Sequence, residues 1–90
     1  MLPMLAAAGD LHAEKILIVD DDDTIRKIVA ASLKSEGYLV FSAASGQEGM
    51  ELLKKVQPDL VILDLMLPDA DGYDICFAIR KESDIPIVIL

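Results

Sequence analysis

Aspartates at two places in the chain are the residues best suited to chemistry. Four are consecutive, at positions 20 to 23 directly after an apolar run, and Asp64 follows a second apolar run. Carboxylates brought together repel one another: at an effective dielectric constant near 20, two unit charges about 4 Å apart repel by roughly 4 kcal/mol. Such a cluster takes up protons or a cation. Mg²⁺ suits it, because one or two carboxylates and several waters hold this ion while it bridges a phosphoryl group. A carboxylate beside the ion can then form an aspartyl phosphate.

Helix capping is the competing explanation for some of these acids. We interpret Asp22 and Asp23 as the beginning of a helix, where acidic side chains accept hydrogen bonds from free N–H groups and oppose the helix dipole. Capping explains Asp20 and Asp21 poorly, since they lie closer to the preceding strand. Asp64 has no helix immediately after it, so we predict that it is functional.

The pattern around these acids alternates strands with helices. Continuous aliphatic runs predict strands covered on both faces, at residues 16–19, 38–41, 60–63 and 85–90. Apolar residues at helical spacing predict three helices between them. The first contains Ile25, Ile28, Val29 and Leu33 and stops at Gly37, the second follows a capping box of Ser45 and Glu48 and contains Leu52, Leu53 and Val56, and the third follows Asp71 and contains Ile75, Cys76 and Ile79.

The resulting order, βαβαβαβ, predicts an α/β fold with a doubly wound parallel sheet and right-handed crossovers. In such sheets, ligands bind beyond the carboxyl ends of the strands. Asp20, Asp21 and Asp64 all fall there. If the first and third strands are neighbours, the three carboxylates meet in one small site.

These pieces resemble the receiver domain of two-component response regulators. The resemblance covers residues 16–90 and rests on the sequences IVDD with IR shortly after, VILDLMLP with DG shortly after, and IPIV, in that order. It implies a flavodoxin-like receiver fold with strand order 2-1-3-4, in a signalling domain rather than an enzyme. The implied partner is a sensor histidine kinase or a histidine phosphotransfer protein.

The same resemblance implies roles for individual residues. Asp64 would be the phosphoacceptor, and Asp21, Asp64 and the backbone carbonyl of Met66 would hold Mg²⁺, with Asp20 acting through a water. Four consecutive aspartates leave a one-residue ambiguity in that pair. We resolve it by the end of the apolar strand at Val19 and by the phase of the following Ile-Arg pair.

Composition narrows the function further. The 90 residues carry a net charge of −8 with scattered Lys and Arg, which argues against nucleic-acid binding. The apolar content of 53% is too interrupted by charge for a membrane span. Cys76 is the only cysteine, which excludes an intramolecular disulfide and favours a cytoplasmic location. We interpret residues 1–14 as a leader outside the core, and residues 15–90 as a partial receiver domain.

The sequence stops at Leu90, whereas receivers of this family have five βα units. The two switch residues of the family, a Ser or Thr and a Lys, would lie beyond that point, so the resemblance implies an incomplete fold. From the uncovered apolar edge of the fourth strand, we predict that the 90-residue chain self-associates, exchanges elements with a neighbour, or is a fragment of a longer chain.

Two other functions fit parts of the pattern. A truncated receiver without switch residues could act as a binding or dimerisation module. The run of aspartates followed by Thr24 also resembles the D-x-D-x-T motif of haloacid-dehalogenase-like phosphatases, which would make Asp20 the nucleophile and Asp22 the acid/base. That interpretation leaves Asp64 unexplained.

Overall fold

All four predicted strands form, and they pair in parallel. In this computed structural model, which describes residues 14–90, the sheet order is β2-β1-β3-β4, as predicted. The strands are β1 (Lys15–Val19), β2 (Leu39–Ala43), β3 (Leu60–Leu63) and β4 (Ile87–Ile89). The fold is therefore a doubly wound α/β sheet with four strands.

The strands β2 and β4 differ most from their predicted bounds, whereas β1 begins one residue earlier than predicted and β3 matches its prediction. β2 runs to Ala43 rather than residue 41, because pairing with β1 places Ala43 opposite Val19 and draws the polar Ser42 into the strand. β4 begins at Ile87 rather than residue 85. Pro86 contributes only its carbonyl, which accepts a hydrogen bond from Val61 N at 3.0 Å, and proline has no N–H to donate to the ladder.

Three helices connect the strands: α1 (Asp23–Ser35), α2 (Gly46–Val56) and α3 (Gly72–Glu82). Each begins after a predicted cap residue, Asp22, Ser45 or Asp71, whose side chain accepts a backbone N–H of the first turn. Glu48 deviates slightly from the predicted capping box, because it accepts the N–H of Ala44 and not that of Ser45. Gly37 ends α1 as predicted, with a left-handed φ of 97°.

The helices cover both faces of the sheet. On one face, Leu17, Val19, Val61 and Leu63 pack against α2 and α3 through Leu53, Ile75 and Ile79. On the other, Ile16, Ile18 and Ile62 pack against Val29, Ala30 and Leu33 of α1. The strand residues alternate between the two faces because side chains along a strand have a period of two. The burial of β1 and β3 on both faces explains their continuous apolar sequences.

The predicted apolar stripe of α1 is partly buried at its C-terminal end and exposed at its N-terminal end. Val29 and Leu33 contact the sheet, whereas Ile25 and Ile28 are 43% and 62% exposed. The residues of α1 that pack against the sheet are Val29, Ala30 and Leu33, so the N-terminal part of the stripe stays in solvent. Apolar periodicity located the helix correctly but overestimated the contact that it makes.

The predicted leader, residues 1–14, lies outside the described residues except for Glu14. The carbonyl of Glu14 accepts a hydrogen bond of 3.0 Å from Leu39 N, at the beginning of the pairing of β1 with β2. Within residues 14–90, no helix has the length and apolar character needed to cross a membrane.

Candidate functional site

Pairing of β1 with β3 brings the two groups of aspartates together. Val19 lies opposite Leu63, and Asp64 N donates a 2.9 Å hydrogen bond to Val19 O. On the other side, Asp20 N donates a 3.1 Å hydrogen bond to Ala43 O at the end of β2. The first residues after β1 and β3 are thus fixed by backbone hydrogen bonds to the last residues of neighbouring strands, at one edge of the sheet.

The carboxylates of Asp20, Asp21 and Asp64 converge at this edge. One oxygen from each lies within 4.8 Å of the others. They differ in depth: Asp20 is 2% exposed, Asp64 is half-buried and Asp21 is exposed. The cluster therefore has a buried base and an open side. It brings together the three acids that were expected to meet, and their role as metal ligands stays a prediction.

The environment of Asp20 disfavours its charged form. Burial raises the pKa of the Asp20 carboxyl above its ordinary value, and the nearby carboxylates of Asp64 and Asp21 raise it further. The N–H of Asp22 opposes this shift by donating to Asp20 Oδ1 at 2.8 Å. A bound cation therefore stabilises the charged form of Asp20 more than it would stabilise a fully solvated carboxylate.

Arg26 is a contact of the site that the sequence analysis did not assign. Its Nη1 donates a 2.6 Å hydrogen bond to the backbone carbonyl of Asp20, and its Nη2 pairs with Asp23. The guanidinium therefore fixes the backbone that carries Asp20. Its position on the first turn of α1 was visible in the sequence, but the acceptor is a backbone atom, which no residue pattern identifies.

Asp22 does not join the cluster. Its Oδ1 accepts the N–H of Ile25 at 3.0 Å, which makes it the N-cap of α1. This confirms the interpretation of Asp22 as a capping residue. It also removes the acid/base residue that a haloacid-dehalogenase-like mechanism would require beside Asp20.

The loop after β3 is closed tightly behind Asp64. Met66 N donates to Asp64 Oδ1 at 3.0 Å, Gly72 N donates to Leu65 O at 3.0 Å, and Met66 pairs with Asp71 in an isolated antiparallel bridge. A Cβ on Gly72 would lie 2.4 Å from Leu65 Cα, so this position excludes any side chain. The glycine is required by close packing and not by a positive φ.

Asp69, in the same loop, is a second residue that the sequence analysis missed. Its carboxylate accepts the N–H groups of Gly46 and Gln47 at 2.8 and 3.0 Å, at the beginning of α2. These hydrogen bonds lower the pKa of Asp69 below its ordinary value. The contact joins residues far apart in the chain, so local sequence carries no signal for it.

The donor set fits a hard divalent cation. Three carboxylates supply only oxygen atoms, with separations small enough for a shared ion, and Asp20 gains a counter-charge for its buried position. Asp20, Asp21 and Asp64 could therefore hold Mg²⁺.

Comparison with known proteins agrees with this geometry. The sequence model of the response regulator receiver domain family matches residues 16–90 of this chain. The chain belongs to this family. A probable transcriptional regulator, ycf27, of Porphyridium aerugineum is 49% identical over 80 residues, which cover 89% of this chain and 33% of the relative. The transcriptional regulatory protein AfsQ1 of Streptomyces coelicolor is 44% identical over 75 residues, covering 83% of this chain and 33% of the relative.

Solved receiver structures share the fold. The chemotaxis response regulator CheY4 of Vibrio cholerae superposes with a TM-score of 0.82 at 34% identity, covering 86% of this chain and 67% of that one. The beryllofluoride-activated receiver domain of RstA from Klebsiella pneumoniae gives a TM-score of 0.80 at 36% identity, covering 83% of this chain and 64% of that one. This receiver chain spans about a third of the length of the curated relatives named above.

Membership of the family establishes the general character of the protein. It is a receiver domain of two-component response regulators, which are signalling proteins. Receivers generally bind Mg²⁺ in an acidic pocket and interact with histidine kinases or phosphotransfer proteins. The acidic cluster of this chain lies where such a pocket is expected, at the carboxyl end of the sheet.

Proposed function

We propose that Asp64 accepts a phosphoryl group from a phosphohistidine in a Mg²⁺-dependent reaction. The observation that carries this proposal is the convergence of Asp20, Asp21 and Asp64, with oxygen atoms within 4.8 Å of one another. In our proposal, Asp21, Asp64 and the backbone carbonyl of Met66 hold the ion, and Asp20 contributes through a water.

Accessibility favours Asp64 over Asp20 as the acceptor. Asp64 is half-buried, whereas Asp20 is almost fully buried at the base of the cluster. The hydrogen bond from Met66 N engages Asp64 Oδ1, so Oδ2 is the oxygen that we assign to the attack on phosphorus. An incoming group can approach Asp64 from the open side of the cluster, where Asp21 is exposed.

The reaction requires positioning and charge neutralisation more than proton transfer. A carboxylate oxygen of Asp64 forms a bond to phosphorus as the bond from phosphorus to the donor's imidazole nitrogen breaks. The imidazole leaves with the bonding electron pair. It is released as neutral imidazole when its other nitrogen carries a proton, and otherwise it takes up one proton from solvent. Bound Mg²⁺ would neutralise the negative charge that accumulates between the phosphoryl oxygens and the carboxylates.

We further propose that the chain is a phosphoacceptor in a signalling pathway and not an enzyme with a turnover substrate of its own. Its partners would be a sensor histidine kinase or a histidine phosphotransfer protein. A cytoplasmic location fits this role and the single cysteine of the sequence.

Phosphorylation by a small-molecule donor tests the proposal without a cognate kinase. We expect the chain to gain one phosphoryl group from acetyl phosphate with Mg²⁺, measured by intact-protein mass spectrometry, and none when EDTA removes the ion. Asp64→Asn should abolish the gain. Asp84→Asn, which removes an exposed acid outside the cluster, should leave it unchanged. Labelling that persists in Asp64→Asn would overturn the assignment.

A second function, self-association, is supported by the outer strand of the sheet, β4. Within residues 14–90, β4 pairs with β3 alone, and Val88, Ile89 and Leu90 are each about half exposed. An apolar parallel edge is a template for pairing with another chain. We propose that this edge mediates association between copies.

Sedimentation velocity tests this second function. We expect the chain to sediment as a dimer or larger species, and Val88→Lys to shift it towards the monomer. Ile28→Lys, at an exposed position of α1, is the matched control and should not change the distribution. A single sharp monomer peak for the unsubstituted chain at high concentration would contradict the proposal.

A further inference from the structure

The side chain of Asp69 connects the loop after β3 to the beginning of α2. Oδ1 accepts the N–H of Gly46 at 2.8 Å, and Oδ2 accepts the N–H of Gln47 at 3.0 Å. Both amides belong to the first turn of the helix, where N–H groups lack intrahelical partners and the dipole favours a negative charge. One carboxylate therefore makes two charge-assisted hydrogen bonds between segments 22 and 23 positions apart.

Close packing accompanies the two hydrogen bonds between Asp69 and the beginning of α2. Gly46 is buried, and a Cβ built on it would lie 2.8 Å from Ala70 Cβ and 2.9 Å from Ile75 Cδ1. The absence of a side chain at Gly46 allows the loop to approach the helix closely. The loop is thus fixed at its outer end by hydrogen bonds and by direct van der Waals contact.

The two segments that Asp69 joins both border the acidic cluster. The loop begins at Asp64, and its base is closed by the hydrogen bond from Gly72 to Leu65 and by the bridge of Met66 with Asp71. The other segment follows β2, whose last residue, Ala43, accepts the N–H of Asp20. Asp69 therefore connects the backbone beside Asp20 to the backbone after Asp64.

We propose that Asp69 is a positioning residue of the metal site: its carboxylate holds the loop of residues 65–71 so that the backbone carbonyl of Met66 can serve as a ligand beside Asp64. Asp69 itself does not contact the ion. This inference rests on the proposed function, because it assigns a role to the loop only if the cluster binds Mg²⁺.

The test is a Mg²⁺ titration of the full chain monitored by NMR. The readout is the ¹³C chemical shift of the Met66 backbone carbonyl. In Asp69→Ala both hydrogen bonds are lost, and we expect the dissociation constant for Mg²⁺ to rise about tenfold, the lower end of what loss of a residue supporting metal ligands costs. Asp69→Asn keeps one acceptor oxygen, so we expect a smaller rise in its dissociation constant for Mg²⁺. Asp74→Asn removes an exposed acid of the first turn of α3 and should bind Mg²⁺ as the unsubstituted chain does.

Gly46→Ala provides a second variant that keeps the carboxylate of Asp69, because its Cβ would displace Ala70 and Ile75 and would lie 3.3 Å from Asp69 Oδ1. It should weaken Mg²⁺ binding in the same direction. All titrations are made below the onset of thermal unfolding of each variant. A purely structural role would lower the unfolding temperature but leave both the dissociation constant and the Mg²⁺-induced shift of the Met66 carbonyl unchanged, and that result would overturn the inference.

The outcomes separate this inference from the proposed function. If the unsubstituted chain binds no Mg²⁺, the proposed function fails and the inference fails with it. If the unsubstituted chain binds Mg²⁺ and Asp69→Ala binds it equally well, only the positioning role is overturned.

Discussion

The backbone N–H of Asp64 donates a 2.9 Å hydrogen bond to the carbonyl oxygen of Val19. Through this single contact, the residue after β3 is fixed beside the residue after β1, and two acidic groups far apart in sequence share one site. The proximity of Asp20 and Asp64 follows from strand pairing, and Asp21 joins them from the bend that follows β1.

Mg²⁺ should stabilise the folded chain. A ligand that binds only the folded state at a hundred times its dissociation constant adds about 2.7 kcal/mol to the free energy of unfolding. We expect calorimetry to show a higher unfolding temperature with Mg²⁺ for the unsubstituted chain and for Asp84→Asn, and little change for Asp64→Asn. An equal increase in all three would mean that the ion acts elsewhere.

Asp20→Asn should stabilise the chain in buffer without Mg²⁺ at neutral pH. The substitution removes a buried charge and its repulsion from Asp64 and Asp21, while the amide oxygen can still accept the N–H of Asp22. Urea unfolding should show a higher free energy of unfolding than in the unsubstituted chain. Asp74→Asn should change it by no more than about 0.5 kcal/mol, as is usual at exposed positions.

The same acid gives a pH dependence of definite sign. Because the folded-state pKa of Asp20 is raised above its ordinary value of 3.8, the folded state binds this proton more tightly than the unfolded state. Asp20 therefore destabilises the folded state at neutral pH, and this destabilisation decreases as the pH falls through the folded-state pKa. It changes no further below 3.8. The difference in unfolding free energy between Asp20→Asn and the unsubstituted chain should shrink over that interval. A constant difference would contradict the assigned cause.

Asp69 should show the opposite dependence. Its pKa is lowered below 3.8 by the N–H groups of Gly46 and Gln47, so its contribution is fully present above 3.8 and is lost as the pH falls through the folded-state pKa. In acid titrations followed by circular dichroism, Asp69→Asn should lack this part of the acid-induced loss of stability. Identical acid transitions in both chains would show that the two hydrogen bonds contribute nothing.

Gly72→Ala should be more harmful than Gly37→Ala. At Gly72 the new Cβ meets backbone, 2.4 Å from Leu65 Cα, and overpacking of this kind costs about 1–3 kcal/mol. At Gly37 there is nothing within 4 Å, and the cost arises from the positive φ alone, about 1–2 kcal/mol. Gly72→Ala should also reduce the stabilisation by Mg²⁺, because the displaced backbone adjoins Asp64. Gly37→Ala, at the far end of α1, should leave that stabilisation intact.

The sequence predicted the elements and the central acids of this receiver because both depend on local patterns. Continuous aliphatic runs identified β1 and β3, and the position of Asp64 after a strand without an adjacent helix marked it as functional. The contact of Arg26 with the carbonyl of Asp20 and the contacts of Asp69 with two amides of α2 escaped prediction, because in each of them one partner is a backbone atom. The exposure of Ile25 and Ile28 escaped it because helical periodicity specifies a face and not what covers that face.

The most direct test of the central claim is a crystal structure of the chain with Mg²⁺ and beryllofluoride, an analogue of a carboxyl-bound phosphoryl group. We predict beryllium bonded to a carboxylate oxygen of Asp64, with Mg²⁺ held by Asp21, Asp64 and the carbonyl oxygen of Met66. Beryllium on Asp20, or a metal ion bound without Asp64, would contradict the account.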